Sequence, residues 1–173
     1  QVGTLVKELK NLGEISRRDY DLDTLKRELN KFHKEGYNIK VHNCDFLSKK
    51  SLKKIRASGV NAINIGLEFG VCQTETIIKY INKYEKLTYL RQKLIAMAIV
   101  SRKWEKWLEN DTKRISEINK LRICGHYFFS NAEFKSIYKT IKIFLKKEGI
   151  DIDQEIKKSI TLLLEDKCNV LGY

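Results

Sequence analysis

The sequence predicts an α/β fold built on parallel strands, with extra helices toward its C-terminal end. Three features of residues 37–70, YNIKVHNCDFLSKKSLKKIRASGVNAINIGLEFG, carry that reading. Ile39 and Val41, then Ala62, Ile63 and Ile65, form two short apolar runs rich in branched residues. Between them Leu47, Leu52 and Ile55 recur at helical spacing, with lysines on the other face. Strand, helix and strand in uninterrupted order make a βαβ unit, and its crossover requires the two strands to be parallel neighbours. His42, Asn43 and Asp45 follow the first strand and Glu68 follows the second. Both sets therefore stand at carboxyl ends of strands, where parallel α/β folds concentrate their chemistry.

Taken in order, residues 1–6, QVGTLV, read as a strand, and residues 7–20 as an extended βα loop. The chain starts at Gln1 without a methionine, which suggests the C-terminal part of a longer protein. Asp21 or Asp23 caps a helix running to about residue 35, with Leu22, Leu25, Leu29 and Phe32 as its apolar stripe and Gly36 as its stop. After the βαβ unit, Thr74 is a plausible N-cap for a helix carrying Ile77, Ile78, Ile81 and Tyr84 inward. Residues 87–108 read as one long helix packed on more than one side, with Trp104 and Trp107 as core or subunit contacts. Residues 111–120 form a short polar helix or loop, and RICGHYFF at 122–129 is expected to be a strand because branched and aromatic residues crowd into it. Ser130 and Glu133 have capping-box spacing ahead of a helix with Phe134, Ile137, Ile141, Phe144 and Leu145 on one face. Gly149 closes that helix, and Asp151 or Asp153 caps a last one to about residue 167, apolar at Ile156, Ile160, Leu163 and Leu164. The last two helices, within 131–173, are expected to form a hairpin outside the parallel sheet.

An apolar content of 42% over 173 residues suits a domain with a real core. The longest apolar run, LIAMAIV, is far short of the roughly 20 residues a membrane-spanning helix needs. With no signal-peptide pattern either, the expected location is cytoplasmic. Cys44, Cys72, Cys124 and Cys168 are scattered without a C-x-x-C pair, which favours reduced thiols over a zinc knuckle or disulfide framework. The net charge of +12 comes mostly from lysines on the polar faces of nearly every helix, often beside Glu or Asp. That pattern fits solvated amphipathic helices, and a basic nucleic-acid-binding module is the minor reading because no recognition motif accompanies the charge.

At residues 42–70 the chain resembles the non-catalytic subunit of class II D-tagatose-bisphosphate aldolase, whose members carry a His-x-x-Asp-aromatic loop, a helix, and a strand ending in a Gly-containing loop. His42, Asp45 and Phe46 occupy that pattern. QVGTLV, WEKWL and LRICGHYFF match further family segments by order and spacing. The resemblance implies a (β/α)₈ TIM barrel, and since such a barrel takes about 250 residues, the chain would supply only its C-terminal part. Residues 1–130 would be partial barrel and residues 131–173 a helical hairpin packed on it. It further implies an accessory subunit in carbohydrate metabolism that binds and stabilises a separate catalytic subunit, with zinc in that partner, sugar phosphate as ligand, and an oligomeric assembly. Glu68 puts a charge where the family's loop is apolar, which keeps a divergent sugar-phosphate-binding barrel among the alternatives.

His42 is the first candidate catalytic residue, as general base or metal ligand, against a histidine hydrogen-bonded for structure. Asp45 is a possible partner for it or a helix cap; Glu68 is an acceptor for sugar hydroxyls or a solvated loop carboxylate. Arg122 and His126 are candidates for a phosphate, against a solvated pair. Besides the accessory subunit, the enzyme reading is a metal-assisted ketose-bisphosphate aldolase, a lyase, with His42 as ligand or base.

Overall fold

The computed structural model describes residues 2–3, 6–11, 22–108 and 115–172. Asp21, most of the expected βα loop and residues 111–114 of the expected polar segment lie outside them. The chain divides into two compact units, residues 1–68 with 163–173, and residues 69–162.

The first unit contains the predicted βαβ arrangement. Strands β1 (Val2–Gly3), β4 (Lys40–His42) and β5 (Ala62–Ile63) form a parallel sheet in the order β1-β4-β5. Val2 stands opposite Val41, and Val41 in turn opposite Ile63. Strands β2 (Val6–Lys7) and β3 (Lys10–Asn11) make a small antiparallel ribbon that takes Val6 from the strand expected over residues 1–6 and the rest from the expected loop. Helix α1 (Leu22–Lys34) ends as predicted: Gly36 adopts φ +83° and Tyr37 N–H returns to the Phe32 carbonyl at 3.0 Å. Its apolar stripe is only partly used, since Leu29 is buried while Phe32 is 51% exposed. The His33 ring spans from the Tyr37 carbonyl, 3.1 Å away, to the Gly59 carbonyl at 2.7 Å, tying the end of α1 to the turn at that glycine.

Helix α2 (Lys49–Ala57) is the crossover. Ser48 caps it by accepting from Ser51 N–H, and Gly59 at φ +93° stops it. Leu52 and Ile55 on its inner face join Val41, Cys44 and Leu47 in a core that Ile63, Val170 and Leu171 complete. Burying each such side chain stabilises by about 1.5–3 kcal/mol, which is what holds strands this short in place.

The expected barrel fragment is not there. Among the described residues the parallel sheet stops at three strands, whereas a barrel closes on eight, and nearly everything after β5 is helical. Helix α3 (Leu67–Ile81) begins seven residues before the expected cap Thr74, so the loop IGLEFG is partly its first turns. Thr74 instead lies within the helix, its hydroxyl donating back to the Gly70 carbonyl. The single long helix expected over 87–108 is broken: α4 (Thr88–Ser101) stops where Arg102 turns to φ +52°, and a 3-10 turn, Glu105–Trp107, follows. Burial on α4 also runs along one side, through Leu90, Leu94, Ile95 and Ala98, while Val100 is exposed. RICGHYFF is not a strand. Its first residues end α5 (Glu117–Cys124), capped by Ser116, and Gly125–Tyr127 form a 3-10 turn. Packing overrides strand propensity here, because Leu121, Ile123, Cys124 and Phe128 are all buried in helical or turn backbone.

Helix α6 (Ala132–Lys147) is capped by Asn131, whose side chain accepts from Glu133 N–H at 2.7 Å, one residue after the expected Ser130. Of the predicted stripe, Phe134, Ile137, Ile141 and Leu145 are buried and Phe144 is partly buried. Gly149 at φ +76° closes it, and Asp151 caps α7 (Ile152–Leu171) by accepting from Asp153 and Gln154 N–H. Ile152 and Ile156 are buried, but Leu164 is exposed. Asp153 anchors the start of α7 to α6 through the Tyr138 hydroxyl and the Lys142 ammonium. Proximity to Lys142 and Tyr138 holds the Asp153 carboxyl below its usual range.

Gly70 is fixed by space. A β-carbon there would stand 2.6 Å from His126 Cβ, well inside contact distance. Gly70→Ala is expected to destabilise by about 1–3 kcal/mol, and His126→Ala in the same chain should recover only part of it, since the clash is with a β-carbon; thermal unfolding of the two variants beside the native chain measures this.

Candidate functional site

The candidate site grows from the loop after β4. Its backbone turns sharply, with Asn43 at φ +57° and Phe46 at φ +58°, conformations that side chains other than glycine rarely adopt. Such backbone persists only where the surroundings hold it. Cys44 N–H donates to the Asn64 carbonyl, and Asn64 N–H to the Val41 carbonyl, so β4 and β5 stay coupled past their ends. The buried Asn11 amide, at the end of β3, donates to the Asn43 carbonyl at 2.8 Å and the Asp45 carbonyl at 2.9 Å.

Asp45 is 4% exposed. Its Oδ1 accepts Gly66 N–H at 2.9 Å and Glu68 N–H at 2.8 Å, two peptide donors at the start of α3. Glu68 answers in the other direction: its Oε2 accepts Phe46 N–H at 2.9 Å. The same oxygen pairs with Lys167 Nζ at 2.9 Å, the side chains being 14% and 7% exposed. This reciprocal arrangement is a capping box assembled across two segments of chain. A carboxylate at a helix N-terminus also gains from the helix dipole.

The structure thus brings Asp45 and Glu68 together, though around each other's backbone. His42 ends β4, opposite Gly3, and is partly exposed. Arg122 and His126 belong to the second unit. Arg122 is engaged there: Nε donates to Glu75 Oε1 at 2.8 Å, Nη2 to the same oxygen, and Nη1 to Asn119 Oδ1 at 2.9 Å. His126 lies against Tyr127, ring centroids 4.0 Å apart. Beneath the loop, Cys44 is fully buried, and burial pushes its thiol up to about 11, so it is protonated and inert at neutral pH. All four cysteines are free.

Sequence reasoning missed Asn11 and Lys167. Lys167 had a signal: it follows Leu163 by four residues and precedes Val170 and Leu171 by three and four, a lysine on an apolar helical stripe. Asn11 had none. Among the described residues no three His, Cys, Asp or Glu side chains stand together to hold a metal ion, and no helix is long and apolar enough to cross a membrane.

Comparison with known proteins gives no match to a family model, a curated protein or a solved structure.

Proposed function

We propose that this chain acts by binding, as an accessory and non-catalytic subunit that stabilises the catalytic subunit of a ketose-bisphosphate aldolase. The observation that carries the reading is the engagement of Asp45 and Glu68. A general base needs an oxygen within hydrogen-bond reach of a substrate proton. Here Asp45 is buried with two peptide N–H groups on one oxygen, and Glu68 is held by a third and by Lys167. The Asp and aromatic positions of the His-x-x-Asp-aromatic pattern are accounted for by architecture, since Asp45 holds the start of α3 and Phe46 N–H donates to the Glu68 carboxylate. The partner is the one the sequence resemblance implies, and it brings the zinc. A subunit that binds only the folded partner stabilises it by mass action, by about 2.7 kcal/mol at a hundredfold excess over Kd.

The test mixes the purified chain with a zinc-loaded class II tagatose-bisphosphate aldolase catalytic subunit. Co-elution in gel filtration and a longer half-life of aldol cleavage are expected, with no cleavage by the chain alone. Cleavage of tagatose 1,6-bisphosphate by the chain alone moves the assignment to the enzyme, and failure to co-elute or to prolong activity removes the accessory reading.

A further inference from the structure

Helix α2 carries more positive charge than its own architecture answers. Its nine residues, KKSLKKIRA, hold five cations and no acid. Lys49 with Lys53, and Lys50 with Lys54, stand one helical turn apart, where like charges weaken a helix. Elsewhere cations are met close by, Lys31 by Glu28 within α1 at 2.8 Å and Lys142 by Asp153 between α6 and α7. On α2 only Lys49 has such a partner among the described residues, the Asp166 carboxylate. Lys49, Lys50, Lys53 and Lys54 line one open groove of about 470 Å³ along the helix, with no acidic side chain beside them. A face that only meets water gains nothing from this arrangement, whereas a face that meets a polyanion does.

The fold sets a second basic helix beside it. Strands β1, β4 and β5 are parallel and adjacent in that order, so the two crossovers run in the same direction across the sheet. Such crossovers are right-handed, which places α1 and α2 on the same face. The His33 ring, near the end of α1, meets the Gly59 carbonyl at 2.7 Å, just past the end of α2, and holds the two ends side by side. His33 also lines an open groove of about 660 Å³ along α1, together with Lys26 and Lys34. The basic sides of the two helices are therefore continuous across His33. Lysines that are scattered along the chain become one surface of the first unit.

We propose that Lys26 and Lys34 of α1 and Lys50, Lys53 and Lys54 of α2 form a binding surface for the phosphate backbone of double-stranded nucleic acid. The make-up of the surface selects this partner. A protein interface centres on buried aromatic or aliphatic anchors and is poor in lysine, and the exposed Phe32 of α1 lines a separate groove with Leu29 and Tyr37. A single strand is held by stacking its bases on aromatic rings, and no Phe, Tyr or Trp lines either basic groove. A duplex keeps its bases stacked inside and offers phosphates to the lysines. Neutralising those phosphates releases condensed counterions, which gives affinity without reading the sequence. This surface does not depend on the aldolase reading.

Fluorescence anisotropy of a labelled, random-sequence DNA duplex, titrated with the full chain over a series of salt concentrations, tests it. Five phosphate contacts predict a slope of about −4 to −5 in log Kobs against log salt. Replacing Lys50, Lys53 and Lys54 together by Gln should make that slope shallower by about 2–3 and raise Kd by about tenfold or more. Arginine at the same three positions keeps the charge and should keep binding. A second triple variant, Lys135→Gln, Lys139→Gln and Lys146→Gln, removes equal charge from exposed positions of α6 and should leave Kd within about twofold, since these lysines lie outside the surface. Circular dichroism checks that each variant is folded. The same titration with a single strand of equal length, and with phosphatidylserine-containing vesicles, separates the partners. Absence of duplex binding overturns the surface, as do equal losses in the two Gln variants, which reduce the attraction to net charge. Tighter binding of the single strand or of the vesicles than of the duplex overturns it as well.

Discussion

Glu68→Ala is expected to destabilise the protein by about 3–5 kcal/mol, because it leaves the Lys167 ammonium buried without its counter-charge. The size follows from what remains after the change. A buried pair is worth little net against a well-packed apolar pair, since both ions were desolvated to make it, but a single unpaired ion keeps the whole penalty. Glu68→Ala also removes the acceptor of Phe46 N–H, at a residue held at φ +58°. Two further variants separate these contributions. Lys167→Met should cost clearly less than Glu68→Ala, since it leaves a carboxylate that is more exposed and still accepts Phe46 N–H. The double variant Glu68→Gln with Lys167→Met should recover most of the loss, because glutamine keeps an acceptor and no buried charge is left alone. Urea unfolding of the four proteins gives the comparison. Equal losses for Glu68→Ala and Lys167→Met would mean that burial of the ammonium is not the governing cost.

The second large effect is at Asp45. Asp45→Ala leaves Gly66 N–H and Glu68 N–H without their acceptor at the start of α3, and an expected loss of about 2–4 kcal/mol follows from two unmet peptide donors. Asp45→Asn retains one side-chain oxygen where both donors already converge, so its loss should be less than half as large. A measurement at atomic detail accompanies the unfolding curves: amide exchange at Gly66 and Glu68 should accelerate strongly in Asp45→Ala and only modestly in Asp45→Asn. Unchanged exchange at both amides would show that Asp45 does not hold the start of α3.

Those two residues also show how far the sequence can be read. The βαβ unit was legible because its signals are local. Leu52 and Ile55 at helical spacing, Ser48 before them, Gly59 after them, and Val41 and Ile63 in branched runs need no knowledge of the rest of the chain. The extension of that unit to a barrel came from the family resemblance, with residues 122–129 as a further expected strand, and the local pattern alone did not carry it. Those residues gain more by burying Ile123, Cys124 and Phe128 in helix and turn than their branched and aromatic character gains from a sheet. The break at Arg102 was equally hidden, since neither glycine nor proline marks it.

In the site, capping was foreseen as one reading of Asp45, though for α2, the next helix in sequence; it caps α3 instead. For Glu68 neither reading held a buried ion pair, because its partner Lys167 lies in the last helix, and pairings between distant segments leave no periodic trace. Only the lysine's place on an apolar stripe hinted that it turns inward.

The central claim is that the residues at the ends of β4 and β5 build structure and leave the chemistry to a partner. Aldol-cleavage turnover of the assembled complex, compared between the native chain and His42→Ala at matched assembly, tests it most directly. The expected result is a turnover within about twofold of the native complex, since on the proposed reading the acid and base belong to the partner. A fall of roughly two to four orders of magnitude, the range for removal of a positioned acid or base, in a variant whose unfolding curve is unchanged, would contradict it and make His42 a catalytic residue.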